Sequence, residues 1–286
     1  MKEADFPALY EAADIASKSA QKSFFLALGA YLSCLIVAAF MSVVDYRAPW
    51  FYLVQAGILL LSLGITIFLA HTKPQRAWYA GRALAESVKT VTWRYMMRAE
   101  PYQNNDAREH FVRSLRKIFD ANKQASASAV EMTGVSQITA SMDAVRARGL
   151  DERKQIYMRE RVEEQLVWYK TKAVFNKKSS RVWFGCLIAL NVAAVSFAFA
   201  RSLFVGMNYW PTEIFLALAG AGMTWLQTKR FQELAASYAL TTHEISFLKE
   251  TFPRSKIEQD FSAFVGDAEN AFSREHTQWQ ARRDED

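Results

Sequence analysis

Four windows without Asp, Glu, Lys or Arg constrain the fold of this 286-residue chain more than any other feature. They cover residues 23–44, 48–70, 182–200 and 214–228. A helix that crosses a bilayer core needs about 20 apolar residues, and the first three windows have that length. The fourth is shorter, but Pro211 suits the first turn of a helix and Glu213 complements the positive helix start. The fourth span is therefore predicted over 210–228.

The averages over the whole chain hide this pattern. A mean hydropathy of -0.07 and 22% charged residues are typical of a soluble protein. Helices that are apolar on all sides belong in a membrane or a large core, and this chain has too little amphipathic sequence to cover four of them. The sequence therefore predicts an all-α integral membrane protein with four transmembrane helices in two hairpins and long cytoplasmic helices. A soluble bundle with two buried hairpins is the alternative.

Lysine and arginine flank the windows unequally. The two predicted turns hold only Arg47 and Arg201, whereas twelve cations lie at the other ends of the spans. These are Lys18, Lys22, Lys73, Arg76, Arg82, Lys170, Lys172, Lys177, Lys178, Arg181, Lys229 and Arg230. Because cytoplasmic flanks carry the excess of Lys and Arg, both termini are predicted to be cytoplasmic, with the protein multi-pass in the cell (inner) membrane. The expected partner is then the lipid bilayer and no nucleic acid.

The chain uses one plan twice, with a polar helix before each hairpin and another after it. This pattern predicts a first unit over 1–123, a linker over 124–151 and a second unit over 152–286. Pro74 should break the first exit helix, because proline removes a backbone donor. The second exit has no Pro or Gly between Thr224 and Thr251, which predicts one helix over 212–250. Two amphipathic helices are predicted over 106–123 and 255–283.

The sequence contains no arrangement typical of an active site. There is no Gly-rich phosphate loop, and the four histidines lie in unrelated segments without metal-ligand spacing. We therefore expect no enzymatic activity, no catalytic residues, no metal and no cofactor. The spans also hold no ionisable residue, which argues against a proton relay or an ion-coupled transporter.

Neutral polar side chains form a stripe on the second span. Gln55, Ser62 and Thr66 are spaced by seven and four residues, which places them near one line on a helix. One interpretation is helix packing with interhelical hydrogen bonds. The other is that the three residues are pore-lining and face a water-filled path when protomers assemble. Since four spans without charge can fill their own centre with side chains, such a path requires several subunits, and a homo-oligomer is predicted.

Clusters of Arg, Glu and aromatic residues lie outside the spans. Arg82, Glu86 and Lys89 are spaced to pair along one helix, with Trp93 beyond them. Similar clusters occupy 159–169 and 274–283. They are either salt-bridged faces with aromatic anchors, or a site for an anionic ligand or a partner, since the Arg guanidinium matches phosphate and carboxylate geometry.

Three motifs in these clusters resemble known families. The stretch GRALAESVKTVTWRY at 81–95 resembles one SLATT subfamily, the SMODS- and SLOG-associating two-transmembrane effector domains of prokaryotic conflict systems. The stretch from Arg159 to Asn176 and the closing SREHTQWQARR at 273–283 are similar to a second SLATT subfamily. The motif positions are Gly81, Arg82, Glu86, Lys89, Trp93, Arg94, Gln165, Trp168, Tyr169, Arg274, Glu275, His276, Trp279, Arg282 and Arg283.

The resemblance implies a tandem of two SLATT domains and a function class. It implies a pore-forming or membrane-perturbing effector of a bacterial antiviral defence system, triggered by an upstream sensor protein or a nucleotide second messenger. The family implies no catalytic residues. Two alternatives stay open, a membrane-anchored helical scaffold without conductance and a regulated ion channel. A scaffold should leave membranes intact when overproduced, and only a channel should show ion selectivity.

Overall fold

The computed structural model describes residues 5–44, 46, 48–122, 136–204 and 210–285, with side chains as far as 273. Every regular element in these ranges is helical, which confirms the all-α prediction for them. The helices are α1 (Ala8–Val43), α2 (Pro49–Thr72), α3 (Pro74–Met96), α4 (Ala107–Ala121), α5 (Ala140–Ala147), α6 (Leu150–Tyr157), a π-helical turn (Met158–Glu163), α7 (Glu164–Leu203), α8 (Thr212–Lys229), α9 (Phe231–Glu250) and α10 (Glu258–Glu285).

Three helical stretches are long and apolar enough to cross a membrane. They are Ala8–Val43, Pro49–Met96 and Leu150–Leu203, and they contain the first three charge-free windows. The fourth window lies in α8, an 18-residue helix that is not among these three. Its sequence includes Glu213, Gln227 and Lys229, which lower its hydropathy. The number of spans therefore stays a prediction.

Each apolar hairpin is followed by a left-handed residue that ends its second helix. Lys73 has φ 43° and ψ 52°, and its N–H still bonds the Leu69 carbonyl at 3.1 Å. Arg230 has φ 49° and ψ 37°, with the same bond to Leu226 at 3.0 Å. The break at Pro74 was predicted, whereas the prediction of one helix over 212–250 is wrong. The sequence around Arg230 has no Gly or Pro that would signal this break. The left-handed conformation ordinarily costs about 1–2 kcal/mol for an L-residue, so it is not expected at an arginine.

Contacts divide the chain into two compact units that each draw on both halves of the sequence. The apolar unit comprises Ser23–Lys73 and Lys172–Ala236, and the polar unit comprises Met1–Lys22, Pro74–Thr171 and Ser237–Asp286. The division follows polarity and not chain order, because charge-free helices pack with one another. The predicted boundaries at 123 and 152 remain predictions.

The core of the polar unit is built around α3, which packs against α10 and α4. The amphipathic helix predicted over 255–283 corresponds to α10, whose apolar stripe supplies Phe261, Val265 and Phe272, all almost completely buried. Ile257 has the same helical spacing, but it lies before the helix and is exposed. Part of the predicted linker is helical, since α5 lies within 124–151. Thr139 caps this helix by accepting a hydrogen bond from the Met142 N–H. Residues 124–135 lie outside the described residues.

The apolar unit is held by small and aromatic side chains. A Cβ added at Gly222 on α8 would lie 3.1 Å from Leu187 Cδ2 on α7, so these helices approach closely. Phe197 stacks on Phe215 with ring centroids 5.3 Å apart. Phe25 on α1 meets Trp225 on α8 at 5.7 Å. The turn residues Asp45, Arg47 and 205–209, which entered the topology prediction, lie outside the described residues.

Candidate functional site

The polar stripe on α2 divides into differently exposed positions. Gln55 is half-buried, Ser62 is buried and Thr66 is exposed. The Gln55 amide donates from Nε2 to the Ala38 carbonyl at 3.1 Å and to Ser42 Oγ at 2.7 Å, both on α1. Ser62 and Thr66 donate to carbonyls of α2 itself. Within one chain, Gln55 therefore takes part in helix packing, and a pore-lining role for the three residues stays a prediction.

A buried ion pair lies at the centre of the polar unit. Arg161, in the π-helical turn, donates from Nε and Nη2 to both carboxylate oxygens of Glu269 on α10, at 2.9 and 2.6 Å. Their side chains are 2% and 0% exposed. Tyr157 donates to Glu269 Oε1 at 3.0 Å, and the Arg161 guanidinium lies 4.7 Å from the Phe272 ring centre. Glu269 thus accepts three hydrogen bonds in a site closed to water.

Burial and charge act in opposite directions on the titration of this group. Burial alone disfavours the charged guanidinium of Arg161, but the contact with Glu269 outweighs it and holds the pKa of Arg161 above its ordinary value. Burial and the neighbouring Glu269 raise the pKa of Tyr157 well above its ordinary value. Tyr157 therefore stays a neutral donor, and Arg161 stays charged at every physiological pH.

The motif residues on α3 extend the charged network from the ion pair. Arg82 pairs with Glu86 at 2.6 Å and approaches Asp14 of α1 at 3.9 Å. Lys89 lies one turn further along α3, where burial, against the favourable charge of Glu86, lowers the pKa of its ammonium. The paired Arg82 and Glu86 fit the predicted salt-bridged face, and the anion site stays a prediction.

Trp93 and Arg94 join α3 to the neighbouring helices. Trp93 is 1% exposed, and its ring meets the Tyr157 ring at 5.7 Å. Arg94 donates from Nη2 to the Gly266 carbonyl and to Asn270 Oδ1, at 3.2 and 2.7 Å. These contacts explain why this motif contains an indole and a guanidinium side by side.

Gly81 lies at a close approach of α1 and α3. A Cβ at this position would lie 3.1 Å from Ser17 Cβ and 3.2 Å from the Ala13 carbonyl oxygen. Ser17 Oγ also donates to the Trp78 carbonyl at 3.1 Å, which fixes the two helices at this distance. The glycine of the motif is therefore a packing residue.

We expect Gly81→Ala to lower the free energy of unfolding by about 1–3 kcal/mol, because the added methyl group must push α1 from α3. Thermal unfolding in mild detergent, followed by circular dichroism, measures this change. Gly266→Ala is the matched control, since a Cβ there meets no atom within 4 Å. That control should be neutral or stabilising by up to about 1 kcal/mol, the ordinary helix preference for Ala. Equal stability of the two variants would contradict the packing role of Gly81.

The remaining motif residues are only partly described. Trp168 and Tyr169 on α7 contact the Tyr238 ring on α9 at 5.4 and 5.7 Å, and Gln165 is half-buried nearby in sequence. Arg274, Glu275, His276, Trp279, Arg282 and Arg283 belong to α10, but their side chains lie outside the described residues.

Sequence reasoning missed the residues that matter most to this network. Glu269 was not singled out, although it lies on the apolar stripe of α10 next to Ala268. A carboxylate within an apolar helix face was the available signal, because buried charges are ordinarily paired. The π-helical turn was also missed. The wider turn rotates the helix that follows it, so the buried positions are Tyr157 and Arg161 up to this turn and Val162 and Tyr169 after it. Such turns occur frequently at functional sites.

No group of three His, Cys, Asp or Glu side chains within the described ranges could hold a metal ion. The expectation of no cofactor stays a prediction.

Two family profiles match the chain in tandem. Residues 7–154 match SMODS and SLOG-associating 2TM effector domain 3, and residues 157–279 match SMODS and SLOG-associating 2TM effector domain 1. The chain belongs to the SLATT family. Searches of curated proteins and of solved structures give no match.

The tandem arrangement confirms the resemblance drawn from the three motifs. The first SLATT match includes the predicted linker, and it ends three residues before the second match begins. The Arg161–Glu269 pair lies within the second SLATT domain, whereas Gly81 and Trp93 belong to the first. Since α3 and α10 pack together, the polar unit combines helices of both SLATT domains. The family description makes this chain a membrane-associated effector.

Proposed function

We propose that this protein is a pore-forming effector of a bacterial antiviral defence system. It inserts in the cell membrane through four spans in two hairpins, has both termini in the cytoplasm and has no enzymatic activity. The observation that carries the proposal is the pair of tandem SLATT matches, each described as a two-transmembrane effector domain. An upstream sensor protein or a nucleotide second messenger is the proposed trigger.

The exposure of the apolar unit supports insertion. Leu53 on α2 is 73% exposed, and Phe199 and Leu203 on α7 are 72% and 75% exposed. Exposed apolar surface on this scale favours contact with acyl chains over contact with water. The close packing of Gly222 against Leu187 supports a second hairpin in which α8 crosses beside α7, although α8 is not among the three stretches that are apolar enough by themselves.

A pore further requires several copies of the chain. Apart from Glu213 at the start of the fourth span, the spans hold no charged group. The described polar side chains within them bond mainly to their own helix carbonyls, as Ser196 and Thr224 do. One copy therefore offers little polar surface for water. We propose a homo-oligomer in which faces of several copies surround the path, with small residues allowing close helix contact.

Ion flux tests the proposal against a scaffold that only anchors in the membrane. The purified full-length protein, reconstituted in vesicles of bacterial lipids, is expected to release an entrapped ion-sensitive dye and to give single-channel currents in planar bilayers. Heat-unfolded protein at the same lipid ratio is the control. Intact vesicles with correctly inserted protein, with and without extract from phage-infected cells as a source of trigger, would contradict the pore.

Topology is tested by cysteine labelling of intact cells. After replacement of Cys34 and Cys186 by alanine, single cysteines are introduced as Gln124→Cys, Gly206→Cys and Asp286→Cys. The excess of Lys and Arg on one side predicts labelling by an impermeant maleimide at 206 alone. Labelling at 124 or 286 with none at 206 would reverse the proposed orientation.

A further inference from the structure

The apolar unit contains an open groove between α7 and α8. Its volume is about 640 Å³, within the range of about 300–1,000 Å³ that is typical of small-molecule sites. Its walls include Phe184, Ile188, Asn191, Leu216, Gly220 and Met223. Asn191 is the polar residue of the lining, and its amide donates to the Leu187 carbonyl. Phe184 and Leu216 are 61% and 54% exposed, so the groove is open to its surroundings along one side.

The two helices that form the groove run antiparallel. The Phe197 ring stacks on the Phe215 ring, and the Trp183 ring meets the Trp225 ring with centroids 6.4 Å apart. In both pairs, a later residue of α8 lies beside an earlier residue of α7. The last turn of α8 therefore lies beside residues 177–181 of α7.

The stripes that line the groove become polar at this end. Lys177 and Arg181 precede Phe184 by seven and three residues, which places them on its side of α7. Gln227 follows Met223 by four residues on α8. Lys177, Arg181 and Gln227, which we call the groove mouth, are all exposed. Lys177 and Arg181 make no ion pair with a described residue.

The end of the apolar unit that carries the groove mouth is strongly positive. It holds one carboxylate, Glu233, which Arg230 approaches at 3.8 Å. Its cations are Lys73, Lys172, Lys177, Lys178, Arg181, Lys229 and Arg230. The mouth therefore favours a negatively charged group.

We infer that the α7–α8 groove binds an anionic phospholipid, with one acyl chain along the groove and the headgroup phosphate at Lys177 and Arg181. Basic pockets between transmembrane helices on the cytoplasmic side commonly bind such headgroups. From Phe184 to Val192 the groove extends about 12 Å along α7. One leaflet is half of a hydrocarbon core of about 30 Å, so this length suits one acyl chain. The inference rests on the proposed membrane insertion, which puts the groove mouth at the level of the headgroups.

Native mass spectrometry of the full-length protein tests the selectivity for the headgroup. Phosphatidylglycerol and phosphatidylcholine with the same acyl chains are supplied in equal amounts, and the wild-type chain should retain phosphatidylglycerol about tenfold better. Lys177→Gln with Arg181→Gln should remove most of this preference and leave retention of phosphatidylcholine unchanged. Lys22→Gln with Lys73→Gln is the matched control, because it removes two membrane-flanking cations that lie outside the groove mouth. Equal retention of the two lipids by the wild-type chain, or equal losses in the two double variants, would overturn the inference.

Filling the groove tests the place of the acyl chain. Gly220→Leu should lower retention of phosphatidylglycerol about tenfold, and the fold should tolerate it because a Cβ at Gly220 meets no atom within 4 Å. Gly64→Leu on α2 is the matched control, since Gly64 is exposed and has the same free space. If Gly220→Leu decreases oligomer size and leaves lipid retention unchanged, the groove is a contact between copies and the inference is overturned.

A competition experiment separates a lipid headgroup from a free phosphate ion. An excess of inorganic phosphate should leave phosphatidylglycerol bound, because phosphate gains nothing from the apolar groove. Displacement of the lipid by phosphate, with no effect of Gly220→Leu, would overturn the lipid assignment.

The lipid site and the proposed insertion fail differently. If carbonate washing extracts the wild-type protein from membranes, the insertion is wrong and the lipid site falls with it. If the protein stays inserted and conducts ions but shows no lipid preference, the lipid site alone is wrong.

Discussion

Glu269→Gln is expected to lower the free energy of unfolding of the polar unit by about 3–5 kcal/mol, the usual effect of removing one partner of a buried ion pair. The neutral amide offers one oxygen in place of two, and it removes the hydrogen-bonded counter-charge of the fully buried Arg161 guanidinium. Domains are stable by about 5–15 kcal/mol, so this loss is a large share of the total. Thermal unfolding in mild detergent should show it as a decrease in Tm on the order of 10 °C.

Two control variants separate the ion pair from ordinary surface charge. Glu163→Gln removes the partner of Lys249, in the same π-helical turn, but both side chains are over 40% exposed and the loss should stay below about 1 kcal/mol. Arg161→Met combined with Glu269→Leu should recover most of the stability, because an apolar pair of similar volume no longer buries a charge. Equal losses in Glu269→Gln and Glu163→Gln would contradict the central place of the pair.

Local patterns predicted the helices well. The charge-free windows indicate helices because a long apolar run without a turn signal has few alternatives, and Pro74 gives the first break. The stripe of Phe261, Val265 and Phe272 indicates the buried face of α10 for the same reason, its helical spacing. The break at Arg230 could not be predicted. Arginine has no preference for a left-handed backbone, so the sequence holds no local mark of this break.

The candidate site depends on contacts between distant residues, which spacing cannot provide. Arg161 and Glu269 are 108 positions apart and belong to helices with a long connection between them. Motif resemblance identified Gly81, Trp93 and Arg94 without a reason for their presence. The structure supplies that reason, because Gly81 lies where α1 touches α3 and Arg94 reaches α10. The π-helical turn could not be predicted for a different reason. It differs from an α-helical turn by one additional residue, and this changes neither the composition nor the helix propensity of the segment.

Gln55→Leu is expected to lower ion conductance while protein level and oligomer size stay unchanged. Both donor contacts of the Gln55 amide go to α1, and no group in the described ranges donates to its Oε1. The Gln55 side chain is half-buried, and water in an assembled path would solvate that oxygen. A narrow path can lose its water when its wall becomes apolar, so leucine at this position should close it. Conductance in planar bilayers, with oligomer size from native mass spectrometry, measures both quantities.

The packing interpretation predicts a different result for the same variant. Loss of an interhelical hydrogen bond in a membrane costs only about 0.6 kcal/mol, so a purely packed Gln55 would leave flux intact or lose flux together with assembly. Asn191→Leu is the matched control, because among the described residues the Asn191 amide donates to the Leu187 carbonyl of its own helix and to no other group. Reduced conductance in Gln55→Leu but not in Asn191→Leu assigns the α2 stripe to the water path. Unchanged flux from a normally assembled Gln55→Leu protein would assign the stripe to the α1–α2 interface instead.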